Sequence, residues 1–140
     1  MTADGSGAGV PALEAFVRLL DARDFDGIEA LFAPEICFRA LTPQGLREAS
    51  CAKEATGWFR TWFEGADRLA VENPRVEPVG ERARMEYRVR LLRRGVWSMV
   101  NEQAYCDVDP AGRVTSMDLL CSGLWPLEPP ASVPSDAAGP

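Results

Sequence analysis

The 140-residue sequence predicts one α+β domain, in which three N-terminal helices pack on a curved antiparallel sheet and enclose an apolar pocket. In the first half of the chain, apolar residues recur mostly with the 3.6-residue period of a helix. From Arg68 onward they alternate with the two-residue period of a strand. An apolar content of 46% over this length is enough for a single core.

Both ends of the chain have the composition of disordered tails. Residues 1–10 are small and Gly-rich, and residues 126–140 contain five of the eleven prolines. We therefore expect a folded domain over 11–125 between two disordered segments.

The first two helices are predicted from capping residues and apolar spacing. Pro11 suits a first helical turn, and apolar residues at i, i+3, i+4 and i+7 then indicate a helix over 11–23. Asp24 or Asp26 can cap a short second helix that Pro34 ends.

A strand over 35–41 and a third helix complete the first half of the domain. Ser50 can cap this helix, and apolar periodicity of the kind it shows marks the buried face more often than a cofactor site. We interpret as core its aromatic stripe of Trp58, Phe59, Trp62 and Phe63.

Long strands fill the second half. In order, the sequence predicts a strand interrupted by Pro74 and Pro78, an alternating strand over 85–91, a turn at Arg94 and Gly95, a strand over 96–108, a turn over 109–112 and a last strand over 113–124. The two prolines place the first of these strands at a sheet edge or at a bulge.

The charge balance excludes several classes of partner. A net charge of -6 and a pI near 4.7 disfavour nucleic acid and anionic membranes, both of which need a basic surface. No apolar run approaches the ~20 residues that span a bilayer, and no signal-peptide pattern is present. We expect a cytoplasmic protein.

The chain contains no histidine, and its cysteines form no CxxC pair. This argues against a zinc, redox or other cofactor site and against any mechanism with an imidazole base. An acid or base must therefore be a carboxylate, Tyr, Lys or Cys. We expect Cys106 and Cys121 to be buried structural thiols.

The two hairpin turns also predict strand register. With two-residue turns, Tyr87 lies opposite Glu102, and Glu102 lies opposite Leu119 on the inner face. A buried carboxylate loses hydration, which raises its pKa towards the range of a general acid or base. The alternative is that Glu102 lies at the pocket rim or pairs with Arg39 or Arg60.

These residues define a hypothesis for the site. Glu102 moves a proton at a carbon next to a carbonyl, and Tyr87 stabilises the resulting enolate. The substrate pocket around them is expected to be lined by Phe16, Phe38, Trp58, Phe59, Trp62, Val89, Val100, Ala104, Met117, Leu119 and Cys121.

The outer face of the sheet has the composition of an interface. Trp97, Met99 and Tyr105 point away from the pocket and stand among arginines, a combination typical of interface hot spots. We expect a homodimer through this face. The alternative is a solvated face that the C-terminal tail partly covers.

The order of elements, the segment DFDGIEALFA over 24–33 and the hairpin AGRVTSM over 111–117 resemble the nuclear transport factor 2-like superfamily, which includes ketosteroid isomerases and SnoaL-like polyketide cyclases. The resemblance covers about residues 12–124. It implies a cone-shaped α+β barrel and a small-molecule enzyme.

The same resemblance places the oxyanion tyrosine of the isomerases on Phe16, their general-base aspartate on Ala40 and their protonated aspartic acid on Ala104. We therefore expect not a standard ketosteroid isomerase but another cofactor-independent isomerase, cyclase or dehydratase, acting on an apolar carbonyl compound such as a polyketide or terpenoid intermediate. The alternative is a non-catalytic ligand-binding or dimeric scaffold protein. Epoxide hydrolysis needs an inward-facing Asp-Arg-Asp group, which is not expected because Asp118 points outward.

Overall fold

The computed structural model describes residues 5–127, which form three helices and seven strands. In chain order these are α1 (Gly5–Asp21), α2 (Phe25–Leu31), β1 (Phe32–Thr42), β2 (Gly45–Ala49), α3 (Ala52–Phe63), β3 (Arg68–Val79), β4 (Arg82–Arg93), β5 (Val96–Val108), β6 (Val114–Cys121) and β7 (Trp125–Pro126). Of the predicted tails, residues 1–4 and 128–140 lie outside the described residues.

Helix α1 begins at Gly5, six residues before the predicted start, and Pro11 lies inside it. Glycine and proline normally indicate a break, which is why the first turns were not expected to be helical. Gly9 has a packing role instead, because a Cβ atom there would lie 2.9 Å from the Cβ atom of Ala83 on β4. The glycine lets the helix approach the sheet closely.

The caps of the two short helices agree only in part with the prediction. Asp24 caps α2 as expected, since its Oδ1 accepts the N–H of Gly27 at 2.9 Å. Helix α3 is capped by Cys51 rather than by Ser50, and no side-chain hydrogen bond is made there. The Ser50 N–H instead donates to Oε1 of Glu54.

The sheet has the strand order β2-β1-β6-β5-β4-β3, and β7 extends it along β5. The predicted α+β fold, with three helices packed on a curved sheet, is confirmed, but the sheet is mixed because β1 pairs with β6 in parallel, and it does not close into a barrel. Pairing between strands so distant in the sequence produces no local sequence pattern from which it could be predicted. Strand β3 is an edge strand with a register shift between Glu72 and Arg75, as its prolines predicted.

The β4–β5 hairpin has the predicted register, with Arg93 paired to Val96 and Tyr87 to Glu102. The β5–β6 hairpin does not, because its loop is longer than two residues and a register shift follows it. Glu102 therefore pairs with Cys121 instead of Leu119. Since the displacement is two residues, both side chains remain on the inner face.

Aromatic side chains fill the space between the helices and the inner face of the sheet. The ring of Phe59 lies 5.3 Å from that of Phe16 and 5.7 Å from that of Phe38, and Phe32 packs 6.1 Å from Phe16. All four side chains are at most 2% exposed. The interior is thus a packed core, and open space remains at its margin.

Candidate functional site

Tyr87 and Glu102 form a buried polar pair on the inner face. The Tyr87 hydroxyl donates a hydrogen bond of 2.5 Å to Oε1 of Glu102, and each residue is only 3% exposed. The other carboxyl oxygen, Oε2, is also buried and accepts no hydrogen bond within the described residues. An unpartnered carboxyl oxygen in such a position is costly unless a ligand or a proton satisfies it.

No arginine neutralises this carboxyl group in the part of the chain that the structure describes. Arg39 pairs with Asp118 at 3.1 Å, and Arg60 pairs with Asp26 at 2.7 Å. The alternative in which either arginine pairs with Glu102 is therefore wrong.

The surroundings of the pair set its protonation. Burial raises the pKa of Glu102 to about 7, although the hydroxyl of Tyr87 and the thiol of Cys121 favour the charged form and oppose the shift. Burial and the nearby carboxylate raise the pKa of Tyr87 well above its usual value. Near neutral pH, Glu102 is therefore partly ionised beside a phenol that stays protonated, the condition for a general acid or base.

A pocket of about 250 Å³ opens beside Glu102. Its buried wall includes Val100 and Phe63, and its exposed rim includes Thr61 and Leu124. The complete lining comprises Thr42, Gln44, Thr61, Trp62, Phe63, Arg93, Val100, Glu102, Cys121, Gly123 and Leu124. The pocket is therefore mixed in polarity, with one buried carboxyl group and one guanidinium.

Only part of the predicted substrate-binding set lines this pocket: Trp62, Val100 and Cys121. Trp58 lies elsewhere, because its indole N–H donates to the Glu48 carbonyl and the guanidinium of Arg47 covers its ring. The remaining predicted residues are at most 4% exposed and form the core behind the pocket: Phe16, Phe38, Phe59, Val89, Ala104, Met117 and Leu119.

Sequence reasoning missed the pocket residues that come from loops and strand ends. Arg93 could have been found, because it has the same strand parity as Tyr87 and Val89 on β4. Thr42 also follows strand parity, because it ends β1 on the same face as Phe38 and Ala40. Gln44, Gly123 and Leu124 carried no such signal, since loop positions have no periodicity.

The three positions of the isomerase resemblance are apolar and fully buried. Phe16, Ala40 and Ala104 have no measurable exposure, and the Phe16 ring lies 6.2 Å from that of Tyr87. The polar pair thus lies in apolar surroundings of its own, without the isomerase constellation.

The cysteines are all free within the described residues. Burial raises the pKa of Cys106 far above its usual value, and burial together with Glu102 raises that of Cys121 to about 12. Neither thiol forms a thiolate near neutral pH. Residues 5–127 contain no group of three or more Cys, Asp or Glu side chains placed to hold a metal ion.

An Asp-Arg-Asp group exists, but it lies on the outer face of the sheet. Arg82 binds Asp107 at 3.0 Å and Asp118 at 3.1 Å, and all three side chains are at least a third exposed. Asp118 points outward as predicted. The group cannot act on a molecule held beside Glu102.

The rest of the outer face carries exposed aromatic groups. Trp97 and Tyr105 are each 39% exposed, and the Arg90 guanidinium lies 5.4 Å from the ring centre of Trp97. Met99 is paired with Trp125 of β7, so the end of the described chain runs along this edge of β5. The homodimer stays a prediction.

No helix among the described residues is long and apolar enough to cross a membrane.

A family model described as a SnoaL-like domain matches residues 13–118. Among solved structures, the chain is similar to an LEH-like epoxide hydrolase from Mycobacterium tuberculosis, with 19% identity and a TM-score of 0.64 over 83% of this chain and 84% of that one. A protein from Xanthomonas campestris pv. campestris, proposed to be a polyketide cyclase, is 16% identical, with a TM-score of 0.67 over 84% and 92% of the two chains.

A hypothetical protein of ketosteroid isomerase-like fold from Catenulispora acidiphila DSM 44928, solved in complex with trimethylamine, is 13% identical. Its TM-score is 0.65 over 94% of this chain and 95% of that one. At these identities the likeness shows the fold alone. No curated protein sequence matches the chain.

Proposed function

We propose that this chain, which belongs to the family of SnoaL-like domains, is a cofactor-independent enzyme that moves a proton at a carbon next to a carbonyl group. Its substrate would be a small, largely apolar compound such as a polyketide or terpenoid intermediate, and the outcome an isomerisation, cyclisation or dehydration. One observation carries the proposal: Glu102 beside the pocket is buried and unpaired by any described cation, with one oxygen held by Tyr87 and the other without a partner.

The geometry divides the work between the two residues. Oε2 of Glu102, in its ionised form, accepts a proton from the substrate carbon and later returns it. Tyr87 already donates its hydroxyl proton to Oε1, so it positions the carboxylate rather than contacting the substrate. The enolate oxygen would then be stabilised by a pocket side chain with a free donor, such as Gln44 or Thr61.

The pKa of about 7 suits this role, because a base is most effective when its pKa lies near the working pH. The similar structures described as an epoxide hydrolase and a proposed polyketide cyclase support a small-molecule pocket in this fold. The family resemblance suggests the substrate class, and Val100 and Phe63 in the pocket wall suit its apolar part.

The test measures how fast the protons of aryl alkyl ketones are replaced by deuterium in deuterated water. The exchange is followed by nuclear magnetic resonance on a panel of such ketones. We expect the wild type to accelerate exchange at the carbon next to the carbonyl, and Glu102→Gln to lose at least about a hundredfold of that rate. Glu81→Gln, which removes the same charge from an exposed turn, is the matched control. Full exchange activity in Glu102→Gln would remove Glu102 from the mechanism.

A second candidate, a non-catalytic small-ligand-binding or scaffold protein, is favoured by the packed interior. The pocket that Glu102 shares with Val100 and Phe63, of about 250 Å³, is smaller than most ligand sites, which span ~300–1,000 Å³. Saturable binding of ketones without any exchange would select this function over catalysis.

A further inference from the structure

We propose that the molecule bound in this pocket is an elongated keto acid, which places its carbonyl end at Glu102 and its carboxylate at Arg93. That this molecule is a substrate rests on the proposed function, but the way it binds can be tested without turnover.

Arg93 and Glu102 line one cavity but come from distant positions on the sheet. Arg93 ends β4 and is six residues beyond Tyr87, which pairs directly with Glu102. At about 3.3 Å per residue, the two backbone positions are roughly 20 Å apart along the strand. Both side chains nevertheless line the same pocket, so one elongated molecule can contact both.

Arg93 differs from most arginines of its strand, and the one other without a salt bridge among the described residues, Arg88, donates to the side-chain amide oxygen of Asn101. Arg82, Arg84 and Arg90 each form a salt bridge with an aspartate or glutamate on the sheet. Arg93 forms none with the described residues, and its Nη2 donates to the main-chain carbonyl of Trp62 at 2.7 Å. That bond fixes the guanidinium at the mouth and leaves further N–H groups for a bidentate contact, the arrangement that recognises a carboxylate.

The charges of the pocket dictate one orientation. Among the described residues, Glu102 and Arg93 are its only ionisable lining groups apart from the protonated thiol of Cys121. A carboxylate is repelled by Glu102 whenever Glu102 is ionised, whereas the guanidinium of Arg93 attracts it, so the carboxylate is favoured at Arg93. The lining also contains Val100 and Phe63, which favours an apolar middle section of the ligand.

The experiment uses three probes, 4-oxo-4-phenylbutanoate, 5-oxo-5-phenylpentanoate and 6-oxo-6-phenylhexanoate, each with its methyl ester. Dissociation constants are measured by calorimetry on the full chain and its variants. We expect at least one acid to bind the wild type at least tenfold more tightly than its ester, and Arg93→Gln to abolish that preference. Arg93→Lys keeps the charge and should retain part of the preference for the acid.

Arg94→Gln is the matched control. It removes the same charge one residue away from an exposed side chain that does not line the pocket, and the contact of Arg94 with Asp67 uses its backbone N–H, which the substitution keeps. Its affinity for the acid should stay within about twofold of wild type, since screened surface charges act weakly. Unchanged ester binding in Arg93→Gln shows that the pocket is intact despite the lost bond to Trp62.

Three results would overturn the assignment: equal binding of every acid and its ester to the wild type, equal effects of the Arg93→Gln and Arg94→Gln substitutions, or no binding of any acid. These outcomes are independent of the exchange assay. Loss of acid preference in Arg93→Gln without any exchange by the wild type would contradict the proposed enzyme and leave the two-ended binding site standing. Exchange of ketone protons by the wild type without any preference for the acids would support the proposed enzyme and contradict the keto-acid site.

Discussion

Tyr87 and Glu102 face each other directly across the β4–β5 ladder, and the Tyr87 hydroxyl donates to Oε1 of Glu102 while Oε2 stays without a partner among the described residues. A carboxyl group in this position is held in one orientation but is poorly solvated. Its protonation therefore links the stability of the fold to the chemistry of the site.

The first prediction concerns stability as a function of pH. Glu102 binds its proton more tightly in the folded chain, with a pKa of about 7, than at its ordinary pKa of 4.5. The stabilisation that this proton provides is present in full below pH 4.5 and is lost as the pH rises to about 7. The shift corresponds to about 3 kcal/mol of unfolding free energy.

The measurement is denaturant unfolding of the wild type and of Glu102→Gln between pH 4 and 8. We expect the wild type to lose stability relative to the variant across this window. Taking the difference removes the opposite trend of Asp107, whose pKa is lowered mainly by the Ser116 hydroxyl. Tyr87 and the neighbouring thiols stay neutral throughout, because their pKa values are raised. A constant difference between the two proteins would contradict the raised pKa.

The second prediction separates positioning from direct catalysis by using Tyr87→Phe. The lost hydroxyl had favoured the charged form of Glu102, so the pKa of the carboxyl group rises further. A hydrogen bond to a charged group is worth about 1.5–3 kcal/mol, which corresponds to roughly one to two pH units. The pH profile of ketone exchange should move upward by that amount, with much of the activity recovered at alkaline pH.

Tyr105→Phe is the control for this variant, because it makes the same change on the outer face of the sheet. Its pH profile should coincide with that of the wild type. If Tyr87→Phe lowers the rate equally at every pH, the hydroxyl acts on the substrate and not on Glu102.

The pairing of Tyr87 with Glu102 was predictable because a two-residue turn at Arg94 and Gly95 sets the register of the whole hairpin. The partner of Glu102 on β6 was not, since the longer loop and the following irregularity displace the register by two residues and bring Cys121 into place. The assignment of residues to the inner and outer faces stayed correct, because a shift of two residues leaves each side chain on the same face.

The pocket was less predictable than the sheet. Its buried wall follows from strand parity, but its rim depends on Gln44, Thr61 and Leu124, which come together only through the parallel pairing of β1 with β6 and the close approach of two loops. The aromatic stripe of α3 was correctly interpreted as largely core, as Phe59 and Phe63 show. Alternation alone cannot say which buried residues border a cavity.

The third prediction concerns the loop that forms one edge of the pocket. Gly123 has a φ of 81°, and a Cβ atom there would lie 2.7 Å from Cγ of Pro43. Gly123→Ala therefore adds both backbone strain, worth about 1–2 kcal/mol, and a clash that pushes the two loops apart. We expect a lower melting temperature and weaker binding of the aryl ketones.

Gly112→Ala serves as the control, because Gly112 has a similar φ of 88° but open space where its Cβ atom would be. It should show the strain without the clash and without any effect on ketone binding. Equal destabilisation by the two substitutions, with ketone affinity unchanged in both, would mean that the contact with Pro43 does not shape the pocket.

The fourth prediction tests the homodimer expected through the outer face. Leu120 is 47% exposed and lies beside Tyr105 in a shallow groove on this face. In a dimer formed here, an arginine at this position would be desolvated without a partner, which costs more than the apolar contact it replaces. Sedimentation should therefore show a dimer for the wild type and a monomer for Leu120→Arg.

Val79→Arg also introduces an arginine in place of an exposed apolar residue, at the end of the edge strand β3, and should remain dimeric. A monomeric wild type at high concentration would contradict the dimer and leave the outer face to the solvent.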